Sequence, residues 1–154
     1  MALVVTQQVP TSSSMSVPHG PVGVGAARRR LRAELRACGA DDAVIDDAVL
    51  VLSELLSNAY RHARPLDGGE LVRAGWSRDS DGAVTISVTD GGGPTRPLPA
   101  SPSVTAKGGR GLTIIRALAR DWGVSETAPS GASPDGSEEP GSVTVWAVLA
   151  ADTP

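Results

Sequence analysis

The 154-residue chain has one cysteine, Cys38, no phenylalanine, one tyrosine, Tyr60, and three tryptophans. A single cysteine excludes an intrachain disulfide and a cysteine-based zinc site. Scarce aromatics leave the core to aliphatic side chains. Lysine is nearly absent, Lys107 standing alone against thirteen arginines, and the net charge is −3. An acidic balance argues against direct nucleic-acid binding, which needs a basic field to displace counterions. No segment approaches the roughly 20 apolar residues of a membrane span. The stretch from Met1 to Gln7 lacks the basic region and long apolar run of a secretory signal, so a cytoplasmic protein without a membrane partner is expected.

What is present suits one globular domain: 40% of residues are hydrophobic and 20% charged, ordinary values for a soluble fold. Residues 1–20 read as a short strand at 3–9 followed by a partly flexible Ser/Pro/Gly linker over about 10–20, ahead of a domain spanning 21–150. From Val22 to Cys38 the pattern is an amphipathic helix, with Ala27, Leu31, Leu35 and Cys38 on one face and Arg28, Arg32 and Arg36 on another. Gly39 stands at its stop position. The arginine run reads first as a solvated face and second as a docking face for an acidic partner. Asp41 and Asp42 open a second helix that continues to about Ala63 and stops before Pro65. Val44, Ala48, Val51, Leu52, Leu55 and Ala59 form its core stripe.

Leu71 to Ser77 and Ala83 to Asp90 alternate as strands around a turn at Asp79–Gly82. Residues 91–110 read as a long loop, of the kind that is functional or disordered. A short helix over Leu112 to Arg120 follows. Strands over Trp122 to Glu126 and Val143 to Leu149 close the order, with a flexible loop at 127–141 between them. The fold class is α+β, a two-layer sandwich whose mixed, mostly antiparallel sheet is covered by helices on one face.

Three motifs carry the chemistry, and their order matters more than any one of them. Glu54 and Asn58 are neighbours at i and i+4 on the second helix, at the margin of its apolar stripe, where a side chain can line a cleft. Two readings are open: Asn58 as a hard oxygen ligand for Mg²⁺ with Glu54 orienting or deprotonating a nucleophile, or an ordinary solvated polar edge. Nearby, His62 falls near the middle of the stripe and reads as a satisfied, partly buried histidine. Asp90 ends an alternating strand on the same face as Val84, Ile86 and Val88. A carboxylate there needs donors, either an adenine amine approaching over Gly91–Gly93 or the backbone of an Asx-turn. Gly108-Gly109-Arg110-Gly111 leads into the Leu112 helix, as an anion site of exposed N–H groups aided by Lys107 and Arg110 or as a plain flexible entry. Neither the G-x-x-x-x-G-K-S/T phosphate loop nor the three-glycine dinucleotide fingerprint is present.

Taken together, Leu52 to Ala63, Val88 to Pro94 and Gly108 to Leu112 resemble the GHKL superfamily of ATPases and kinases, which shares the Bergerat fold with histidine-kinase catalytic domains. Within it the chain is most similar to the anti-sigma-factor serine/threonine kinases of RsbW type, over about residues 20–150. The resemblance implies that ATP and Mg²⁺ are the cofactors, that Asn58 binds the metal and that Glu54 is the catalytic base. It implies that Asp90 recognises adenine over Gly92, that Gly109 and Gly111 wrap the phosphates with Lys107, Arg110 and Leu112 beside them, and that Thr144 lies near the base. Residues 93–108 correspond to the ATP lid. Where the superfamily often has D-x-G-x-G, this chain has Pro94 at the fifth place, which implies a stiffer hinge and altered phosphate contacts.

The partners so implied are an RNA polymerase sigma factor and a STAS-domain anti-anti-sigma protein, phosphorylated on a hydroxyl, with a homodimer as a further family expectation. No phosphoacceptor helix precedes the domain, which argues against a complete sensor kinase. The rival expectations are a non-catalytic ATP-binding interaction module and a simple ATPase.

Overall fold

Alternation of apolar and hydroxyl-bearing residues builds the sheet, and the wide stripe of one long helix covers it. The computed structural model describes residues 11–63, 65–66, 69–92, 109–127 and 141–151. Their order is β1 (Ser12–Pro18), α1 (Pro21–Ala37), α2 (Asp42–His62), β2 (Leu71–Arg78), β3 (Val84–Asp90), α3 (Gly109–Leu118), β4 (Asp121–Thr127) and β5 (Ser142–Leu149). The five strands form one sheet in the order β1-β2-β3-β5-β4. Every pairing among the described residues is antiparallel, so the mixed pairing expected from sequence has no counterpart there.

Period-two alternation divides the sheet into two faces. Met15, Val17, Val72, Ala74, Trp76, Val84, Ile86, Val88, Ala147 and Leu149 are buried on the helix side. Ser14, Ser16, Arg73 and Ser77 point the other way and are exposed, while Thr85, Ser87 and Thr89 are half-buried there. On that second face Trp146 lies against Gly123, where a Cβ would sit 2.5 Å from the indole. Only glycine allows a ring to lie so close to the strand.

The strand read at 3–9 lies outside the described residues. The linker read over about 10–20 is corrected: Ser12–Pro18 is an edge strand paired with β2 along its length, from Ser12↔Ser77 to Pro18↔Leu71. Three of its first four residues are serines, weak strand formers, so local propensity gave no signal. Tertiary pairing and the burial of Met15 and Val17 override it.

Pro21 starts α1 at a position where a missing N–H costs nothing. The helix ends in a Schellman motif, with Gly39 at φ +83 and the bonds Gly39 N–H to Arg36 O (3.1 Å) and Ala40 N–H to Leu35 O (3.0 Å). Arg78 Nη1 donates to the Cys38 carbonyl, tying this turn to the end of β2. The expected stripe of α2 is buried in full, widened by Ile45, Val49 and Leu56. That width lets α2 pack on α1, on α3 and on β3 at once. Between β2 and β3, Asp79 Oδ1 accepts from Asp81 N–H and Ala83 N–H, both at 2.9 Å, and Gly82 turns at φ +86. Helix α3 starts at Gly109 rather than Leu112, so the glycines form its first turn instead of preceding it.

Two glycines of α1 differ in their surroundings and predict opposite outcomes. A Cβ at Gly23 would lie 2.4 Å from the Pro18 carbonyl oxygen, because the helix seats directly on the end of β1. Gly23→Ala is expected to destabilise the protein by about 1–3 kcal/mol, as overpacking does. At Gly25 the nearest atom is the far end of Arg29, 3.6 Å away. Gly25→Ala is expected to stabilise by about 0.5–1 kcal/mol through helix propensity. Urea denaturation of the two variants checks both signs.

Candidate functional site

Asp90 ends β3 on the helix-covered face and is 6% exposed, the only buried polar or charged residue among those described. It sits there because alternation along Val84–Asp90 carries the apolar register onto a carboxylate. Its Oδ1 accepts the Gly92 N–H at 2.7 Å, an Asx-turn bond, and Gly92 takes φ +78, a left-handed conformation suited to glycine. The second oxygen accepts no hydrogen bond among the described residues. Both sequence readings of Asp90 are therefore compatible: the turn uses one oxygen and leaves the other for an incoming donor. Burial pushes the Asp90 carboxyl above its ordinary 3.8, and the Gly92 N–H and the charge of His19 offset this only in part.

Glu54 and Asn58 are half-buried on α2, next to the buried Val51 and Leu55. Neither has a hydrogen bond or ion pair among the described residues. Helix α1 covers the other margin of α2, where Arg32 Nη1 meets Asp46 Oδ1 at 2.9 Å. That leaves the Glu54/Asn58 margin to the side on which α3 packs. The C-terminal end of α2 lies over the end of the sheet where β1 and β3 finish and β2 begins. This follows from His19, just past β1, whose Nε2 is 3.0 Å from both Ala59 O and Ala63 O. The register carries it across the sheet, with Pro18 opposite Leu71 and Arg73 opposite Thr89. Asn58 and Asp90 thus belong to the same end of the domain. Unfilled oxygens on a helix and on a strand end fit a polar ligand carrying both a cation and an amine.

Thr144 departs from its expected place. It pairs with Thr89, their Oγ1 atoms 2.7 Å apart, whereas Asp90 pairs with Val143. Directly paired residues share a face, so Thr144 is on the side of the sheet away from Asp90. Val143, buried and 3.6 Å from a Cβ built at Gly92, is the β5 residue beside the carboxylate. A one-residue shift along a strand reverses the face, and a motif matched without its register cannot fix that parity. The backbone of Gly109–Gly111 forms the first turn of α3, whose N–H groups have no intrahelical acceptor. Lys107, Pro94, the lid at 93–108 and the side chains of Arg110, Leu112 and His62 lie outside the described residues, as does most of the loop at 127–141. Among the described residues no three His, Cys, Asp or Glu side chains cluster as a metal site. No described helix is long and apolar enough to cross a membrane.

His19 was legible only as a linker histidine. Nothing local in Pro18-His19-Gly20-Pro21 signals a bond to a helix end forty residues later.

The position of Asp90 generates a paired prediction. In the fold this carboxyl keeps its proton to higher pH than in the unfolded chain, so the unfolded state binds fewer protons as pH rises through that window. Below the ordinary carboxylate range both states are protonated and nothing is lost. Stability is then expected to fall as pH rises through the elevated value. Asp90→Asn should remove that loss, so the melting temperature of the variant should exceed that of wild type at pH 7 and match it near pH 3. Thermal unfolding across this pH range checks the sign.

Residues 17–133 match the family described as the histidine kinase-like ATPase domain. The RsbU and RsbW domains of Rv1364c from Mycobacterium tuberculosis superpose with a TM-score of 0.64 at 21% identity. That match covers 93% of this chain, which spans 33% of the length of the other. The SiaB-SiaC complex from Pseudomonas aeruginosa gives a TM-score of 0.58 at 16% identity, covering 89% of each chain. At these identities the two structures speak for the fold. No curated protein matches the chain.

Proposed function

The chain belongs to the histidine kinase-like ATPase family, and on that premise we propose that it binds ATP with Mg²⁺ between the end of α2 and the end of β3, as a regulatory protein kinase. The observation that carries the reading is Asp90: a buried carboxylate with one oxygen engaged by Gly92 and the other unengaged among the described residues. That oxygen is an acceptor only, so it suits the exocyclic amine of adenine and opposes the 6-oxo group of guanine. Val143 and Gly92 supply the apolar wall and the open floor beside it.

The donor set fits the metal-nucleotide pair. Asn58 offers a neutral oxygen to Mg²⁺, which keeps several waters and takes its remaining ligands from phosphates. The N–H groups of Gly109–Gly111 at the start of α3 suit phosphate oxygens, with Lys107 and Arg110 assigned beside them. Leu112 and the lid at 93–108 are assigned to the nucleotide from the family pattern alone, and Thr144 acts only from the far face of the sheet, through its bond to Thr89. Bound Mg²⁺·ATP supplies an activated phosphoryl group. Glu54 would accept a hydrogen bond from the attacking serine or threonine hydroxyl and then take its proton. The hydroxyl oxygen would then bond to the γ-phosphorus as the bond to the β,γ-bridging oxygen breaks, with ADP as the leaving group.

The acceptor we assign is a STAS-domain anti-anti-sigma protein, with a sigma factor as the alternate partner in transcription control. A fold neighbour solved as a complex of two proteins supports a protein partner.

Titration calorimetry with ATP, with and without Mg²⁺, is the first test. Asn58→Ala is expected to lower affinity about 10–100-fold in Mg²⁺ and little without it. Asp90→Asn, which puts an amide donor against the adenine amine, should weaken both even though it stabilises the fold. Radiolabel transfer to the matched STAS partner, abolished by Glu54→Gln, then separates a kinase from a binding module. Free phosphate released without any partner would instead indicate a simple ATPase.

A further inference from the structure

The connection from β1 to α1 is only two residues long, His19 and Gly20. Both its ends are fixed: Pro18 closes the ladder opposite Leu71, and Gly23 lets the first turn of α1 sit against the Pro18 carbonyl. The His19 N–H donates to Glu70 O at 2.7 Å, joining this connection to the chain just ahead of β2. From that anchored backbone the ring reaches the last turn of α2, its Nε2 3.0 Å from Ala59 O and 3.0 Å from Ala63 O. Carbonyls only accept, so Nε2 carries the proton and donates to both. The ring meets Tyr60 edge-on at 5.8 Å between centroids.

Helix α2 has no glycine stop of its own. Ala63 is extended at φ −124, and Pro65 follows two residues later. Ala59 O already accepts the Ala63 N–H at 3.1 Å, and His19 adds a second donor there while giving Ala63 O one from outside the helix. Asn58 immediately precedes Ala59, the first residue of the clamped turn. Asp90 stands at the same end of the sheet and feels the charge of His19.

We propose that His19 is a positioning residue of the nucleotide site, clamping the last turn of α2 to the ends of β1 and β2 so that Asn58 stays in register with Asp90. The proposal rests on the nucleotide-site reading given above. His19 touches neither metal nor base; it acts by fixing the turn that directly follows Asn58. Partners behind a metal ligand commonly change metal affinity 10–100-fold when removed.

The test is Mg²⁺·ATP and Mg²⁺-free ATP titration of wild type, His19→Ala and His19→Gln, well below their melting temperatures. His19→Ala is expected to weaken Mg²⁺·ATP binding about 10-fold while changing Mg²⁺-free binding much less. His19→Gln, whose amide nitrogen falls near the Nε2 position, should recover most of the loss. If His19→Ala does not fold, His19→Asn against His19→Gln makes the same comparison, since the shorter amide stops short of both carbonyls. Wild-type affinity in a variant that merely melts earlier overturns the proposal, as does equal loss with and without Mg²⁺. Should Asn58→Ala and Asp90→Asn weaken binding while His19→Ala does not, the proposal alone fails. Absence of wild-type binding would remove the nucleotide reading and the proposal together.

Discussion

The packing of α2 across the sheet is the contact on which the rest depends. Its buried residues span about 160° of the helix surface, from Val51 and Leu55 through Ala48 and Leu52 to Ile45, Val49 and Leu56. A stripe of that width cannot be satisfied by the sheet alone, so α1 closes one side and α3 packs against the helix as well. The sheet answers with Val84, Ile86 and Val88 at its centre. Where this apolar contact ends, Asp90 takes the next inward position, with Glu54 and Asn58 at the helix margin. The proposed site is the polar rim of the core, and its residues owe their placement to the apolar register beneath them.

Asp90 joins local conformation to electrostatics. Its turn with Gly92 keeps the carboxylate oriented, and burial keeps it poorly solvated. Under the proposed reading, an incoming amine would pair with the oxygen that Gly92 leaves unengaged, and the burial that raises the carboxyl would favour such a donor. That proposed role would make Asp90 a stability–function conflict, a residue that weakens the resting fold and serves a ligand.

Much of this was readable in the chain. Helix spacing gave α1 and α2 almost to the residue, because Leu31, Leu35, Leu52 and Leu55 recur with the helical period and Gly39 marks a stop. Strand alternation gave β2 and β3, and with them the inward direction of Asp90. The failures share a physical origin in long-range pairing. Strand β1 is serine-rich and is a strand only because β2 pairs with it. Thr144 was assigned by motif, yet the β3–β5 register decides its face. His19 gains its meaning from carbonyls forty and forty-four positions away. Composition and period report what a segment does locally, and partners chosen from afar leave no local mark.

The strand order has a consequence for the folding pathway. Strands β2 and β3 are joined by a tight turn, whereas the Thr89–Thr144 pair closes across 55 positions and His19 reaches Ala63 across 44. Contacts that span long loops incur their closure entropy before they gain anything in return, which slows their formation. The hairpin and the two helices can form from short-range contacts, but the rim around Asp90 needs β5 and the β1 connection in place. The end of the domain around Asp90 therefore depends on contacts of the longest reach, and is expected to consolidate after the β2–β3 hairpin.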